Sequence, residues 1–384
     1  MTKKLYDADS HLFEFDAAVL SCTPVKDRYA VTLDQTAFFP EGGGQYADTG
    51  KLDAARVLDV QEENGGIVHY TDRPLDVGAA VHGTLETEQR FRRMQNHSGE
   101  HIVSGLVHTL FGLDNVGFHL GDDDMTVDYN GTLTRDDLDR VETMANQVVA
   151  RNIPILTQYP DPQILPTLQY RSKLELTENV RIVTIGDVDC CACCAPHVAF
   201  TGEIGVIKIL DFERYKGGVR CHMLCGETAL EDYRDKYRNV QSVSLALCVP
   251  QNETAQGVQR TLDTLKQRDY EIVSLRRRLA EAALLSARCS ESCICFFADA
   301  LCDADSVRHA VNLGMEQAAV CAGFLPAESG WRYCIGSASA DLRARSKEIN
   351  AALEGRGGGQ PNMIQGTAAA SRDAICDFFG NFKI

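Results

Sequence analysis

The chain has 384 residues and a formal net charge of −16, from 38 Lys and Arg against 54 Asp and Glu. This length predicts two to four domains rather than one core. The acidic balance argues against general nucleic-acid coating, although a local basic patch could still contact RNA. Three clusters are candidates for such a patch, each with a solvated charged face as the alternative: Arg90, Arg92 and Arg93; Arg276, Arg277 and Arg278; and Lys208, Arg214, Lys216 and Arg220.

The cysteine content and the start of the chain predict a reducing, cytoplasmic setting. There are 15 cysteines, but the first ten residues, MTKKLYDADS, lack the apolar stretch of an export signal. No apolar run is long enough to cross a bilayer. We therefore expect most thiols to be free, and the cluster around Cys193 to serve metal binding and packing rather than disulfides.

Residues 1–90 are predicted to form a β-rich domain, a small antiparallel β-barrel or sandwich. Apolar and polar residues alternate around Tyr29, Val31 and Leu33, as in a half-buried strand. The stretch Thr36–Gln45 interrupts this pattern with Gly42, Gly43 and Gly44 in a row. Successive glycines allow left-handed backbone and the close approach of a ligand, and a flexible hairpin turn is the alternative.

Residues 91–248 are predicted to form an α/β domain that binds a metal ion. A helix over 92–111 places His97 and His101 one turn apart on one face. The second pair, Cys193 and His197, has the same spacing, and together the four side chains form a zinc-type ligand set. A metalloprotease motif is excluded, because Ser98 stands where that motif needs glutamate.

Two further local patterns lie in this domain. Thr134 to Asp137 has the pattern of a capping box and predicts the start of the next helix. His119 falls within a predicted strand, where a hydrogen-bonded structural histidine is the alternative to a functional one.

The remaining chain is predicted to contain a long heptad helix over 249–288 and a small α/β domain over 289–384. Apolar residues recur every seven positions at Val258, Leu265, Ile272 and Leu279, which predicts a helical spacer or a dimer arm. The last domain carries a second glycine run, Gly357, Gly358 and Gly359. The predicted fold is therefore α+β in four parts.

These motifs, in this order, resemble the alanyl-tRNA editing proteins of the long AlaX type, which are similar to the editing and C-terminal parts of alanyl-tRNA synthetase. The resemblance covers nearly the whole chain. It depends on the segments FFPEGGGQ (38–45), RMQNHSGEH (93–101), CCAPHVAFTGEIG (193–205), KGGVR (216–220) and GRGGGQPNMIQG (355–366). One departure is clear, because Cys194-Ala195-Pro196 stands where the family commonly has Gly-Gly-Thr, and it also leaves Cys194 as an alternative ligand to Cys193.

The resemblance implies hydrolysis in trans of mischarged Ser-tRNA(Ala), with Gly-tRNA(Ala) as a second candidate substrate. It assigns Zn²⁺ to His97, His101, Cys193 and His197. It implies that the editing domain takes the acceptor end of tRNA(Ala), and that the C-terminal glycine-rich domain contacts the tRNA elbow and joins a homodimer with the heptad helix. Gly42–Gly44 and Gly357–Gly359 are then substrate-binding.

Specificity and catalysis each have candidates. Thr36 matches the family position that reads the serine hydroxyl, and a threonine in a β-turn is the alternative. Gln45 and His119 are the candidates for a group that assists the attacking water. A catalytically idle tRNA-binding protein with structural zinc, and a zinc hydrolase of another ester, are the competing functions.

Overall fold

The structure is a computed structural model that describes residues 2–121, 125–172 and 180–383, without the side chains of residues 288 and 289. The described chain folds as two compact units, Met1–Asn239 and Val240–Ile384. Helices and sheets occur in both units, so the α+β class is confirmed, while the four-part division stays a prediction. None of the helices in the described ranges is long and apolar enough to cross a membrane.

The first unit begins with strands and then alternates strands with long helices. Its elements are β1 (Lys3–Lys4), β2 (Glu14–Val25), β3 (Arg28–Leu33), β4 (Gln35–Thr36), β5 (Gly50–Leu52), β6 (Ala55–Glu63), β7 (Gly66–Thr71), β8 (Ala80–Leu85), α1 (Thr87–Phe111), β9 (Asn115–Leu120), β10 (Met125–Tyr129), α2 (Arg135–Arg151), β11 (Ile155–Gln158), β12 (Ile182–Ile185), β13 (Asp189–Ala192), β14 (Ile207–Tyr215), β15 (Gly218–Cys225) and the start of α3 (Gly226–Leu247).

Six antiparallel strands near the N-terminus hydrogen-bond in a closed ring, in the order β2-β3-β7-β6-β5-β8. Alternation along β3 turns Val31 and Leu33 inward, and both are fully buried. Phe38, just after β4, is fully buried in the same core. Ala195, from the segment between the second pair of predicted ligands, packs against this core. The closed sheet is therefore in contact with the loop that carries Cys193 and His197.

Helix α1 is the centre of the second half of this unit. It packs with α2 against the sheet β14-β15-β10-β9, and a further sheet β11-β12-β13 completes the core. Two glycines allow close contact, since a Cβ would come within 2.3 Å of the Cys225 sulfur at Gly99 and within 2.4 Å of the Val188 carbonyl oxygen at Gly105. These approaches fix α1 against β15 and against the turn before β13.

The second unit is a six-stranded sheet with helices on both faces. Its elements after α3 are α4 (Thr254–Leu285), β16 (Arg288–Cys289), β17 (Cys293–Phe297), α5 (Ala304–Gly314), β18 (Val320–Pro326), β19 (Trp331–Ser337), α6 (Ser346–Ala352), β20 (Arg356–Gln360), β21 (Met363–Ala368) and α7 (Arg372–Asn381). The strand order is β16-β17-β18-β19-β21-β20. Helices α4 and α5 cover one face, and α6 and α7 cover the other.

Two predicted features of this unit are solvent-exposed. The heptad residues Val258, Leu265 and Ile272 on α4 are 43%, 56% and 45% exposed, so this apolar stripe has no partner within the described chain. Strand β20, which carries Gly357–Gly359, is the last strand of its sheet, and all five of its residues are exposed. An edge strand with three successive glycines leaves its backbone open to another molecule.

A buried ion pair between Arg90 and Asp48 joins helix α1 to the glycine-containing loop after β4. The side chains are 0% and 2% exposed. The Arg90 guanidinium also donates to the Ala37 carbonyl at 3.2 Å, and the Asp48 carboxylate accepts the Phe39 N–H at 2.7 Å. These bonds fix the position of the loop relative to helix α1.

Asp48→Asn should lower the free energy of unfolding by about 3–5 kcal/mol, because it leaves the Arg90 charge buried without a counter-charge. Urea unfolding followed by circular dichroism measures the change. Glu62→Gln is the matched control, since its pair with Lys4 is exposed and should contribute less than about 1 kcal/mol. Equal losses in the two variants would contradict the role given to the buried pair.

Candidate metal centre

Helix α1 brings His97 and His101 together on its buried side. Both are 3% exposed, and their ring centroids are 5.4 Å apart. The predicted helix over 92–111 is confirmed, with Thr87 as its first residue and Phe111 as its last. Glu100 is also buried, and Ser104 and Asn115 donate to its carboxylate.

The segment after β13 supplies Cys193 and His197 to the same point. The Cys193 sulfur lies 3.5 Å from His97 Nε2 and 3.4 Å from His197 Nε2. One ligand atom from each of His97, His101, Cys193 and His197 lies within 4.8 Å of the others. The two ligand pairs therefore converge and offer four donor atoms to one metal ion.

Each of the three imidazoles is oriented by a hydrogen bond at its other ring nitrogen. An oxygen acceptor at Nδ1 favours the tautomer with the proton on Nδ1, which leaves the Nε2 lone pair facing the centre. The three bonds are His97 Nδ1 to Gln45 Oε1 at 3.0 Å, His101 Nδ1 to Asp189 Oδ2 at 2.9 Å, and His197 Nδ1 to Ser98 Oγ at 3.1 Å.

Asp189 is itself fixed by Arg171, whose Nε donates to Oδ1 at 2.8 Å and whose second terminal nitrogen donates to Oδ2 at 3.0 Å. Burial alone would raise the pKa of the Asp189 carboxyl, but the bonds from His101 and Arg171 lower it below its usual range. Both oxygens of this carboxylate are occupied, so it can hold His101 in one orientation.

The thiol and the imidazoles at the centre shift one another's pKa values. Burial alone would raise the pKa of the Cys193 thiol, but the three imidazoles facing it lower that pKa well below its usual value. Burial lowers the pKa of His197 to about 3, which keeps this ring neutral. Burial alone would lower the pKa of His101, but its bonds to Asp189 and Cys193 raise that pKa well above its usual value. A thiolate and unprotonated imidazoles are the forms that ligate metals, so a metal ion must displace the His101 proton when it binds.

The structure favours Cys193 over Cys194 as the sulfur ligand. Cys194 is exposed, and it is not among the four residues whose ligand atoms converge. Arg181 fixes the loop between the ligands by donating to the carbonyls of Cys193 at 3.0 Å and Ala195 at 2.8 Å. These bonds use carbonyl groups, so Pro196, which lacks an N–H, does not disturb them.

Gln45 reaches the centre from the glycine loop. Gly42 and Gln45 exchange two backbone hydrogen bonds of 3.0 Å, and the turn between them has φ of +62° at Gly43 and +84° at Gly44. Gln45 is 1% exposed, and its Nε2 has no hydrogen-bond partner among the described residues. The structure therefore places a buried amide N–H group without a partner beside His97, which is an unusual arrangement in a protein interior.

His119 does not join the cluster. On β9 its neighbour Phe118 contacts the His97 ring, with centroids 4.8 Å apart, whereas His119 is exposed and contacts Tyr46 at 5.6 Å. Successive strand residues point to opposite faces, so the His119 ring is directed away from the metal ligands. Of the two predicted helpers, only Gln45 touches the site.

Thr36 is fully buried in the first unit, and its hydroxyl already has partners. It lies 2.8 Å from His69 Nε2 and accepts the Phe38 N–H at 3.1 Å. Because His69 Nδ1 faces the Val31 carbonyl and burial lowers the pKa of His69 to about 4, the ring is neutral and Thr36 donates to it. Its proposed contact with substrate stays a prediction.

A cleft of about 1540 Å³ opens onto the ligands. Its wall includes His97, His101, Cys193 and, from the glycine loop, Gly43. A space of this size accommodates a nucleotide with an attached aminoacyl group. Gly357, Gly358 and Gly359 belong to the second unit.

Sequence reasoning missed the residues that orient the ligands, namely Ser98, Asp189, Arg171 and Arg181. Ser98 lies inside the predicted motif, but its contact with His197 crosses 99 positions of sequence. Asp189 and Arg171 are similarly distant from His101 along the chain, so spacing gave no signal for them.

Comparison with known proteins gives two family models and several relatives. Residues 180–220 match the model described as the threonyl and alanyl tRNA synthetase second additional domain, and residues 10–89 match the class II (A) tRNA synthetases. The chain is 30% identical to the alanyl-tRNA editing protein AlaX-L of Pyrococcus horikoshii, over 98% of this chain and 97% of that protein. The chain belongs to the alanyl-tRNA editing protein family.

Two other relatives agree with this assignment. An alanine–tRNA ligase of Halorubrum lacusprofundi is 30% identical over 98% of this chain but only 43% of the ligase. An alanyl-tRNA editing protein of Danio rerio is 28% identical over 71% of this chain and 70% of its own length. The resemblance inferred from the motifs is thereby confirmed, and it extends over nearly the whole chain rather than over one domain.

Asp189→Asn should weaken metal binding about 10–100-fold, because the amide no longer fixes His101 through a charged acceptor. Competition of the purified protein with a chromophoric chelator for added Zn²⁺ measures the affinity. Asp187→Asn is the matched control, since Asp187 is exposed and pairs with Arg151. An unchanged affinity in Asp189→Asn would show that His101 needs no outer partner.

Proposed function

We propose that this family member binds zinc through His97, His101, Cys193 and His197, and uses the site to hydrolyse mischarged Ser-tRNA(Ala). Gly-tRNA(Ala) is a second candidate substrate. The convergence of four donor atoms, three of them from residues that line an open cleft, is the observation that carries the proposal. Relatives named as alanyl-tRNA editing proteins support the reaction class.

The donor set and its spacing fit zinc. Ordinary Zn–N and Zn–S bond lengths in a tetrahedral site separate the donor atoms by about 3.3–3.6 Å. The two distances from the Cys193 sulfur to imidazole nitrogens are 3.5 and 3.4 Å. Three imidazoles with one thiolate are also a borderline-soft set, which favours zinc over magnesium or calcium.

The substrate bond is an ester between the serine carboxyl group and the terminal ribose of the tRNA. When bound, zinc would supply a Lewis acid for the ester carbonyl and would lower the pKa of a water molecule towards ~7. The protein adds Gln45, whose free Nε2–H group lies beside His97 and can donate to the water or to the carbonyl oxygen. A donor fixed there in advance stabilises charge that develops on oxygen.

The rest of the chain offers surfaces for the tRNA. Gly43 lines the cleft without a side chain, so the terminal nucleotide can approach the backbone closely. We assign the acceptor end to this cleft and the tRNA elbow to the exposed strand β20 with Gly357–Gly359. The unpartnered apolar stripe of α4 supports a homodimer through this helix and the C-terminal domain.

The competing function is that of a tRNA-binding protein whose zinc is only structural. Four protein ligands would fill a tetrahedral shell, whereas catalytic zinc sites usually keep one position for water or substrate. The free amide nitrogen of Gln45 and the open cleft favour the enzyme, because a purely structural centre has no use for either.

His101→Ala should remove most of the zinc and most of the deacylation of Ser-tRNA(Ala) together, since one of the four donors is lost. Metal analysis and release of labelled serine measure the two quantities on the same preparation. His82→Ala, at an exposed histidine of the closed sheet, is the control. Full zinc occupancy in the variant contradicts the ligand assignment. Wild-type protein that holds zinc but releases no serine favours the binding protein.

We also propose that the Thr36 hydroxyl pairs with the hydroxyl of the serine substrate. Thr36→Val should then reduce the preference for Ser-tRNA(Ala) over Ala-tRNA(Ala), because the hydroxyl is replaced by a methyl group. Thr36→Ser, which keeps the hydroxyl for His69, should retain the preference. The ratio of the two deacylation rates is the measurement, with zinc content and unfolding recorded beside it. A ratio that is the same in all three proteins removes Thr36 from substrate recognition and leaves it a structural role.

A further inference from the structure

Glu100 is a buried acidic residue in the wall of the metal-ligand cleft that the proposed reaction has not used. It lies on α1 directly before His101 and is 4% exposed. The helical spacing predicts that it points away from the ligand face, yet it lines the same cleft as His97, His101 and Cys193. The cleft wall therefore contains a carboxylate beside the metal centre.

Only neutral groups hold this carboxylate. Ser104 Oγ and Asn115 Nδ2 both donate to Oε1, the second at 2.5 Å. The Asn115 amide is oriented by the Gly117 N–H, which donates to its oxygen at 3.0 Å, and Tyr129 donates to Ser104 Oγ at 3.1 Å. The second oxygen, Oε2, has no hydrogen-bond partner among the described residues.

Glu100 also forms no ion pair among the described residues, although the positive charge of Arg171 acts on it through space. Arg171, which lines the cleft as well, directs two of its nitrogens to Asp189 instead. Asp189 has both oxygens occupied, whereas Glu100 has one oxygen engaged by neutral donors and one open. Buried carboxylates are normally paired with a cation, so the open oxygen of Glu100 is positioned to accept a cationic group that enters the cleft.

An aminoacyl ester carries such a group. Its α-ammonium is separated from the ester carbonyl by one carbon, so a substrate whose carbonyl reaches the metal ligands brings a positive charge close to them. We propose that Glu100 binds the α-ammonium of the aminoacyl group and thereby selects esters with a free amine over N-acylated ones. The inference depends on the proposed function for its substrate, but it assigns a subsite of its own.

Two substrates test this subsite, Ser-tRNA(Ala) and the same tRNA with the serine amine acetylated. In Glu100→Gln, kcat/KM for the free amine should fall roughly a hundred-fold, because a buried charge pair is lost. The acetylated substrate, which has no charge to pair, should be cleaved equally by wild type and variant. Glutamine keeps the acceptor for Ser104 and Asn115, so melting temperature and zinc content should match wild type.

Two further variants separate charge from packing. Glu100→Asp keeps the carboxylate and should keep the preference for the free amine, even at a reduced rate. Asp114→Asn is the matched control, because Asp114 also lines the cleft but is exposed and pairs with His108. An equal loss on both substrates in Glu100→Gln would show that Glu100 acts on the water or on the fold, and the proposal would be wrong. No loss on either would overturn it as well.

A binding measurement separates this inference from the proposed function. The probe is 3′-seryl-amino-3′-deoxyadenosine, an amide that is not hydrolysed, compared with its N-acetyl form by calorimetry on zinc-loaded protein. Wild type should bind the free amine more tightly, and Glu100→Gln should abolish the difference. If wild type shows this preference but does not deacylate Ser-tRNA(Ala), the function fails and the subsite stands. If wild type deacylates but shows no preference, the subsite fails alone.

Discussion

The metal centre depends on hydrogen bonds at the nitrogens that do not face the ion. Three imidazoles and a thiol can share a point in a buried site only if each ring keeps one tautomer and one orientation. Gln45, Asp189 and Ser98 provide this control at Nδ1 of His97, His101 and His197 respectively. The centroids of the three rings are about 5 Å apart. Without these contacts, no hydrogen bond would keep their Nε2 atoms directed toward the metal ion.

The site depends on the fold of the first unit, because each orienting group comes from a different part of that unit. Gln45 belongs to the glycine loop, which the Arg90–Asp48 pair fixes to α1. Asp189 begins β13, and the close approach of Gly105 to the Val188 carbonyl sets the distance from that strand to the helix. Stability and function are coupled here, since the same packing contacts that hold the core also set the positions of the ligands.

The metal ligands could be predicted from the sequence, whereas the residues that orient them could not. His97 and His101 lie one helical turn apart, and the helix that carries them is visible in the chain as a local period. The capping box from Thr134 to Asp137 is equally local, and the structure confirms it at the start of α2. Asp189 and Arg171 act through contacts between distant segments, which no local pattern encodes. The catalytic role of His119 is predicted from its residue type alone, and the alternation of side chains along β9 directs its ring away from the metal ligands.

In the proposed centre, three nitrogens and one sulfur from this chain surround a single zinc ion. X-ray absorption at the zinc edge, recorded on protein loaded with one equivalent of metal, tests this directly. We expect one sulfur at about 2.3 Å and nitrogens at about 2.0–2.1 Å. A shell with two sulfurs, which would bring in Cys191 or Cys194, would contradict the site and the chemistry built on it. A shell of oxygens from solvent and carboxylates would contradict them as well.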